Sequence, residues 1–500
     1  WGRNPVATGQ HMVPWIKKAK EKGAYLVVID PLHTETTRLA DLHLMPRPGT
    51  DGALALAIAN IIDNEGLLDM EFIKNNTLGF DEFRKIYDGF DPGRASQITG
   101  IDEDQIIDLA KAYGTNKPAS IILGFGIQRY SNGGDTVRAI DALGAITGNI
   151  GRKGGGVSYN NHVTDHVFNK APLTAPQLAV HKRTYKIARL AEEINTLNDP
   201  PIRFIYTARA NPITQNMDTE KVVKAFESVD FKLTLDMFLT DTAKLSDVVL
   251  PVNHFLEEDN IVMPPSNHSY INYCNKTVEP PRGVKSELEI LNELAVRLAI
   301  AEFPIKTAEE WLEEAMLPLK VKYGIDIEIL KEAPFKVPEV LDIPWSDNSF
   351  HTPSGKYEFY SYTAKKEGFS PVAEYREISA KRSEEYPFYL LTPHLRGSLH
   401  SQQYVLMGED HTPTVYMNDL RDHELGIKNG ELVRVSTEKG QLEAKLAIDP
   451  KMPQDRVKMY EGWWLQRGGG INRLVPEVIC QMGLLAAYYE VVCKVEKIRV

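Results

Sequence analysis

Polar and glycine residues recur just past apolar, strand-like runs in this 500-residue sequence. Asp30 closes the run AYLVVID at 24–30, and its carboxylate can accept from a ribose hydroxyl or a purine N–H. Gly49, Thr50 and Asp51 open a helix, whose free backbone N–H groups suit a phosphate or a purine edge. Gly124, Gly126 and Gln128 follow a further strand. Asn211, Pro212, Thr214 and Gln215 follow another, and Asp236, Phe238, Thr240 and Thr242 another still. In doubly wound sheets, ligands sit outside the carboxyl ends of the strands. Singly these signals are weak. A strand-terminal Asp is more often a turn or cap residue. The pair Gly124-x-Gly126 has Arg129 where a dinucleotide fingerprint wants a third glycine. The run GRKGGG at 151–156 lacks the G-K-[ST] of a phosphate loop and reads as a domain-crossing turn. His394 and His400 suit a core role as well as a functional one. Repetition in two α/β units is what points to two nucleotide-like moieties.

These positions need a scaffold of alternating helices and strands. Met12, Val13, Ile16 and Ala19 share one helical face, and Gly23 ends that helix. The spacing predicts helices over 52–64, 103–113 and 135–147 and strands over 24–30 and 119–125. A second set follows: strands over 202–207, 231–237 and 248–252, and helices over 220–228 and 286–298. Apolar strands alternating with helices indicate a parallel sheet covered on both faces. Residues 157–200 read as a polar, helical excursion and 300–375 as a helix followed by a proline-rich linker. From Tyr386 the pattern turns to short alternating strands, with a hairpin at 438–441 in which Gly440 supplies a positive φ. The fold class is therefore α/β, with two doubly wound units followed by a C-terminal β-barrel. The expected domains span 1–155, 156–380 and 381–500.

Composition narrows the class. Hydrophobic content of 43% and charge of 25% are ordinary for a globular chain. A net charge of −11 argues against nucleic-acid or anionic-membrane partners. No apolar run reaches the roughly 18 residues that span a bilayer. The three cysteines, Cys274, Cys480 and Cys493, form no C-x-x-C pair and read as buried free thiols, too few for a cluster or a structural zinc.

Several longer segments carry a resemblance: WGRNP at 1–5, VVIDPLHTETTRLAD at 27–41, RPGTDGALALAIANII at 47–62 and ALGAITGNIGRKGGGV at 142–157. Further on come ARANPITQ at 208–215, FLTDTAKLSDVVLPVNHFLEEDN at 238–260 and TPSGKYEFYS at 352–361. The last are LLTPHLRGSLHSQ at 390–402 and NDLRDHELGIKNGELVRVSTEKGQ at 418–441. In this order they resemble the molybdopterin oxidoreductases of the dimethyl-sulfoxide-reductase type, over nearly the whole chain. That family binds molybdenum or tungsten between two pterin guanine dinucleotides. The resemblance implies that Asn4, Asp30, Thr34, Gly49, Asp51, Gly126 and Gln128 serve one dinucleotide. Asn211, Gln215, Asp236, Phe238, Thr240 and Thr242 match positions around the other. Thr392, His394, Arg396, His400, Ser401 and Gln402, with Asn472 and Tyr489 nearby, would close over both pterins from the barrel.

The resemblance also implies parts that these residues do not supply. The family's cluster domain and its protein ligand to the metal (Ser, Cys, selenocysteine or Asp) precede the W-G-x-N segment. No metal ligand or catalytic residue is therefore assigned here, and a [4Fe–4S] cluster is expected upstream or on a partner chain. A longer native chain is the first expectation, ahead of an enzyme made in two pieces or a reading frame split at a selenocysteine codon. The implied activity is oxygen-atom, hydride or electron transfer with a small substrate. Thiosulfate, polysulfide, formate, nitrate, sulfoxides and arsenic oxyanions all stay open. The implied partner is a ferredoxin-like electron-transfer subunit. Rival readings are a non-redox hydratase or transhydroxylase of the same cofactor family, a cofactor-holding subunit, and a nicotinamide dehydrogenase.

Overall fold

The computed structural model describes residues 1–160, 167–178, 183–263, 268–403, 412–419 and 425–498. Parts of the polar excursion near 157–200 and residues 420–424 of the NDLRDHELG segment lie outside the described residues.

Strand β1 (Val27–Ile29) pairs in parallel with β2 (Leu42–Leu44), Val27 opposite Leu42. The strand is shorter than the apolar run because side chains take over the backbone at both ends. Asp41 accepts from the Leu26 N–H at 2.8 Å, and Asp30 accepts from the Leu32 N–H at 2.9 Å. Helix α1 (Asp51–Asn64) is buried on nearly all sides, as its run of Ala, Leu and Ile demands. It packs against α2 (Glu103–Thr115), capped by Asp102, and later against α3 (Gly133–Ile146).

Strand β3 (Ser120–Ile122) pairs in parallel with β4 (Gly156–Ser158). The glycines of GRKGGG thus serve a tight turn back into the first unit, where Val157 joins the core. A Cβ on Gly155 would lie 2.5 Å from the Asn149 carbonyl oxygen. At Gly124 a Cβ would overlap the Gly2 carbonyl oxygen, so the exit from β3 admits no side chain. Gly124→Ala is expected to cost about 1–3 kcal/mol, as overpacking does. Urea unfolding checks this, and an unchanged midpoint would contradict it.

The second unit is a three-stranded parallel sheet of β5 (Phe204–Ala208), β6 (Phe231–Asp236) and β7 (Val248–Pro251), in that order. Helix α4 (Thr219–Glu227) connects β5 to β6. Helix α5 (Glu287–Arg297) starts with a Ser286–Glu289 capping box and lays Ile290 and Leu294 on Leu233 and Leu235. Beyond it the chain returns to the first unit, where Phe350, Phe359, Val372 and Ala373 fill the same core as α1.

Six strands close a barrel: β8 (Phe388–Leu391), β9 (Thr414–Met417), β10 (Leu432–Ser436), β11 (Gln441–Ile448), β12 (Arg456–Met459) and β13 (Val492–Lys497). Their order around it is β8, β12, β9, β11, β10, β13, and β13 pairs back onto β8. Alternate residues such as Val433 and Val435 point inward and are fully buried. The hairpin between β10 and β11 forms as expected, with Ser436 opposite Gln441. Gly440 has a different reason from the expected one. It is not among the glycines with positive φ. Instead a Cβ there would sit 2.8 Å from the Arg473 carbonyl oxygen, so close backbone approach requires glycine.

Candidate active site

The carboxyl ends of β1 and β2 face the barrel. Arg456 on β12 reaches across, its Nη1 donating to the Pro31 and Pro46 carbonyls at 3.0 and 2.9 Å. Asp455 holds the same guanidinium at Nε, 2.7 Å away. Beside this bridge lie Asp30 and Asp51. Trp1 Nε1 donates to Asp51 Oδ1 at 2.6 Å. Burial pushes the Asp30 carboxyl up to about 7, and raises that of Asp51 as well. Asn4 is engaged in the entry loop: its Nδ2 donates to Glu35 and its Oδ1 accepts from Thr36. Gly49 turns the chain at φ +77°, and its carbonyl accepts from Asn132 Nδ2 at 2.8 Å. Gly126 lies against Gly2, where a Cβ would be 2.9 Å from the carbonyl oxygen. Gln128 stands half-buried on the same short turn.

The carboxyl ends of β5 and β6 carry a second group. Asn211 joins the two strand exits: its Nδ2 donates to Thr214 Oγ1, and its Oδ1 accepts from Thr242 Oγ1, both at 2.8 Å. Thr240 caps the turn that follows β6 by accepting from the Ala243 N–H. Gln215 Nε2 donates to Ser401 Oγ at 3.2 Å, and Asn472 Nδ2 donates to the Thr214 and Gln215 carbonyls. Both of those partners come from the C-terminal domain. Asp236 accepts from the Phe238 N–H, and burial raises its carboxyl. Phe238 is exposed, together with its neighbours Met237 and Leu239.

Between the two groups lies a charged centre that the sequence did not mark as such. Arg129 Nη2 is 3.0 Å from Glu461 Oε1 and donates to His394 Nε2 at 2.8 Å. Its guanidinium also lies about 5 Å from the ring centroids of Tyr488 and Tyr489. His394 Nδ1 stands 2.7 Å from the same Glu461 oxygen. Burial alone would raise the Glu461 carboxyl, but Arg129 and His394 outweigh it and bring it down to about 2. The His394 and His400 rings meet edge to face, 4.5 Å apart. Burial, and then His394, lower the His400 pKa. His394, His400 and Glu461 have metal-ligand spacing. The Arg129 cation already fills that role, and a second cation would be repelled. Arg396 and Gln402 stand exposed; Arg396 acts on Glu35 through its charge.

Several buried groups here have no hydrogen-bond partner among the described residues: Thr34 Oγ1, Tyr130 OH, Thr392 Oγ1 and Asn472 Oδ1. Such orphans in a native protein call for a missing partner. They fall at both strand-end groups and at the barrel between them. Donors, acceptors and raised carboxyls together fit polar heterocycles bearing phosphates. The three cysteines are free, Cys480 and Cys493 buried and Cys274 partly so. Among the described residues, no helix is long and apolar enough to cross a membrane.

Two parallel α/β units capped by a six-stranded barrel define a cofactor enzyme that holds two nucleotide-like groups, and comparison places it. The family description "Molybdopterin oxidoreductase" matches residues 1–297, and "Molydopterin dinucleotide binding domain" matches 388–491. The chain belongs to the molybdopterin oxidoreductase family, of the dimethyl-sulfoxide-reductase type. It is 34% identical to the probable oxidoreductase YyaE of Bacillus subtilis, over 99% of this chain and 75% of that protein. It is 32% identical to the F420-dependent formate dehydrogenase subunit alpha of Methanocaldococcus jannaschii, over 89% of this chain and 68% of that one. The fold matches acetylene hydratase from Pelobacter acetylenicus with a TM-score of 0.81 at 24% identity, covering 96% of this chain and 75% of that one. The protein is a molybdenum- or tungsten-dependent oxidoreductase that uses bis-molybdopterin guanine dinucleotide.

Proposed function

We propose that the two strand-end groups each hold one guanine dinucleotide and that the barrel closes over both pterins. The observation that supports this most is that four of the orphaned buried polar atoms, Thr34 Oγ1, Tyr130 OH, Thr392 Oγ1 and Asn472 Oδ1, fall at the two groups and at the barrel face between them. Asp30 and Asp51 are acceptors for the donor edge of one guanine; Thr34, Gly49, Gly126 and Gln128 line its approach, and Asn4 holds the loop. Asp236, Phe238, Thr240 and Thr242, with Asn211 and Gln215, do the same for the other. Thr392, His394, His400, Ser401, Asn472 and Tyr489 face the pterins, with Arg396 and Gln402 at the rim.

When bound, the group supplies dithiolene ligands to the metal and the exchange of an oxygen atom, a hydride or electrons with a small substrate. This chain's residues orient it and exclude water. A [4Fe–4S] cluster and a ferredoxin-like subunit, neither held by these residues, would take up the electrons. The relatives named as alpha subunits support a multi-subunit assembly.

Asp51→Ala removes a buried acceptor. A hydrogen bond to a charged group contributes about 1.5–3 kcal/mol, so guanine nucleotide should leave the variant roughly 10- to 100-fold faster. Acid release of nucleotide after timed dialysis measures this. Unchanged retention would show that Asp51 is not a cofactor contact.

A further inference from the structure

The turn between β6 and β7 contains a carboxylate that the sequence patterns passed over. Asp241 lies between Thr240 and Thr242 and is 5% exposed. Its Oδ2 accepts from Thr214 Oγ1 at 2.7 Å and from the Leu465 N–H at 2.6 Å. Its Oδ1 accepts from the Gln466 N–H at 3.2 Å. One buried carboxylate therefore joins three segments distant in sequence: the exit of β5, the exit of β6 and a loop of the C-terminal domain.

The surrounding bonds make this junction the centre of a network. Gln466 Nε2 returns to the Leu239 carbonyl at 2.8 Å. Trp464 Nε1 donates to the Ser401 carbonyl at 2.8 Å, and Ser401 Oγ accepts from Gln215. Thr214 Oγ1, which donates to Asp241, itself accepts from Asn211 Nδ2. Asn211, Gln215, Thr242 and Ser401 thus depend on one another through Asp241. Each oxygen faces donors only, so the acceptor-only chemistry of a carboxylate is required. An amide of the same size would turn an NH2 group toward either Gln466 N–H or the Thr214 and Leu465 pair.

We propose that Asp241 is a positioning residue for the second dinucleotide: it locks the loop at 464–466 onto the strand exits and so sets the geometry of that site. This rests on the two-dinucleotide reading above. Asp241 itself touches no ligand; it acts through Thr214, Gln215 and Ser401.

The test is Asp241→Asn in the cofactor-containing protein, with two readouts. Amide exchange should rise together in residues 211–217, 238–243, 398–402 and 463–467, and stay unchanged in β10, β11 and α1. Guanine nucleotide release should quicken by roughly tenfold, the factor that 1.4 kcal/mol corresponds to. Thr214→Val, which also removes the acceptor of Asn211 Nδ2 but leaves the carboxylate and its two backbone donors in place, should raise exchange in residues 211–217 while 463–467 stays protected. Faster exchange with unchanged nucleotide release would make Asp241 a merely structural residue and overturn the proposal. Unchanged exchange would overturn it too. Absence of guanine nucleotide from the unsubstituted protein would instead refute the reading on which the proposal rests.

Discussion

Arg129→Ala is expected to destabilise the protein by about 3–5 kcal/mol, because it strands a buried charge. The side chains of Arg129 and Glu461 are only 13% and 6% exposed, and their 3.0 Å contact joins the first α/β unit to the barrel. Glu461 stays ionised in that setting because of Arg129 and His394. Without the guanidinium, the carboxylate must take up a proton or draw in water, and His394 loses the donor that faces its Nε2. The Thr392 carbonyl loses a weak donor as well. The paired replacement Arg129→Met with Glu461→Leu should regain most of the loss, since removing both charges removes the desolvation cost. Chemical unfolding of the single and double variants measures the coupling. Additive effects would mean that the two side chains do not depend on each other.

Asp30 sets a pH dependence of opposite sign to the usual carboxylate. Its pKa in the folded chain is about 7, above the ordinary 3.8, and burial is the main cause. Between these values the folded state holds a proton that the unfolded state has lost. The group's stabilising contribution is therefore present in full below about pH 4 and is lost as pH rises through about 7. The rise from 3.8 to about 7 corresponds to a ceiling of about 4 kcal/mol. Residual water at this partly buried group reduces the expected figure to about 1–3 kcal/mol between pH 5 and 8. In cofactor-free protein, Asp30→Asn should remove that slope and match the original chain only below about pH 4. Parallel stability profiles for the two proteins would contradict it. In the loaded protein the preference reverses, because donors on a guanine edge favour the ionised carboxylate. There the same variant should release nucleotide faster.

Much of the scaffold can be read from the sequence because its signals are local. Helix α1 follows from an unbroken Ala, Leu and Ile run, and the parallel strands from short apolar runs with polar exits. Strand ends are less legible, since Asp41 competes for the Leu26 N–H from 15 positions away. Asn211 and Gln215 share one segment, Thr242, Ser401 and Asn472 come from three others, and hydrogen bonds join all of them in one network. Their hydrogen bonds could not be foreseen, because each depends on how the units dock. Arg129 shows the limit most clearly. In the sequence it is only a residue standing where a third glycine was wanted. Its meaning comes from Glu461, 332 positions later. Asp241 was likewise hidden between two threonines that match the family pattern. Gly440 reads as a turn glycine, but the carbonyl of Arg473 that excludes a side chain there belongs to a different loop.

The central claim is that this chain holds two guanine dinucleotides around one metal. The most direct measurement is acid hydrolysis of the native protein with its partners, with guanine nucleotide and metal counted in the same sample. Guanine nucleotide and molybdenum or tungsten are expected in a ratio of two to one. One guanine nucleotide per metal would leave one of the two strand-end groups without its ligand. An adenine dinucleotide with no guanine would contradict the account altogether.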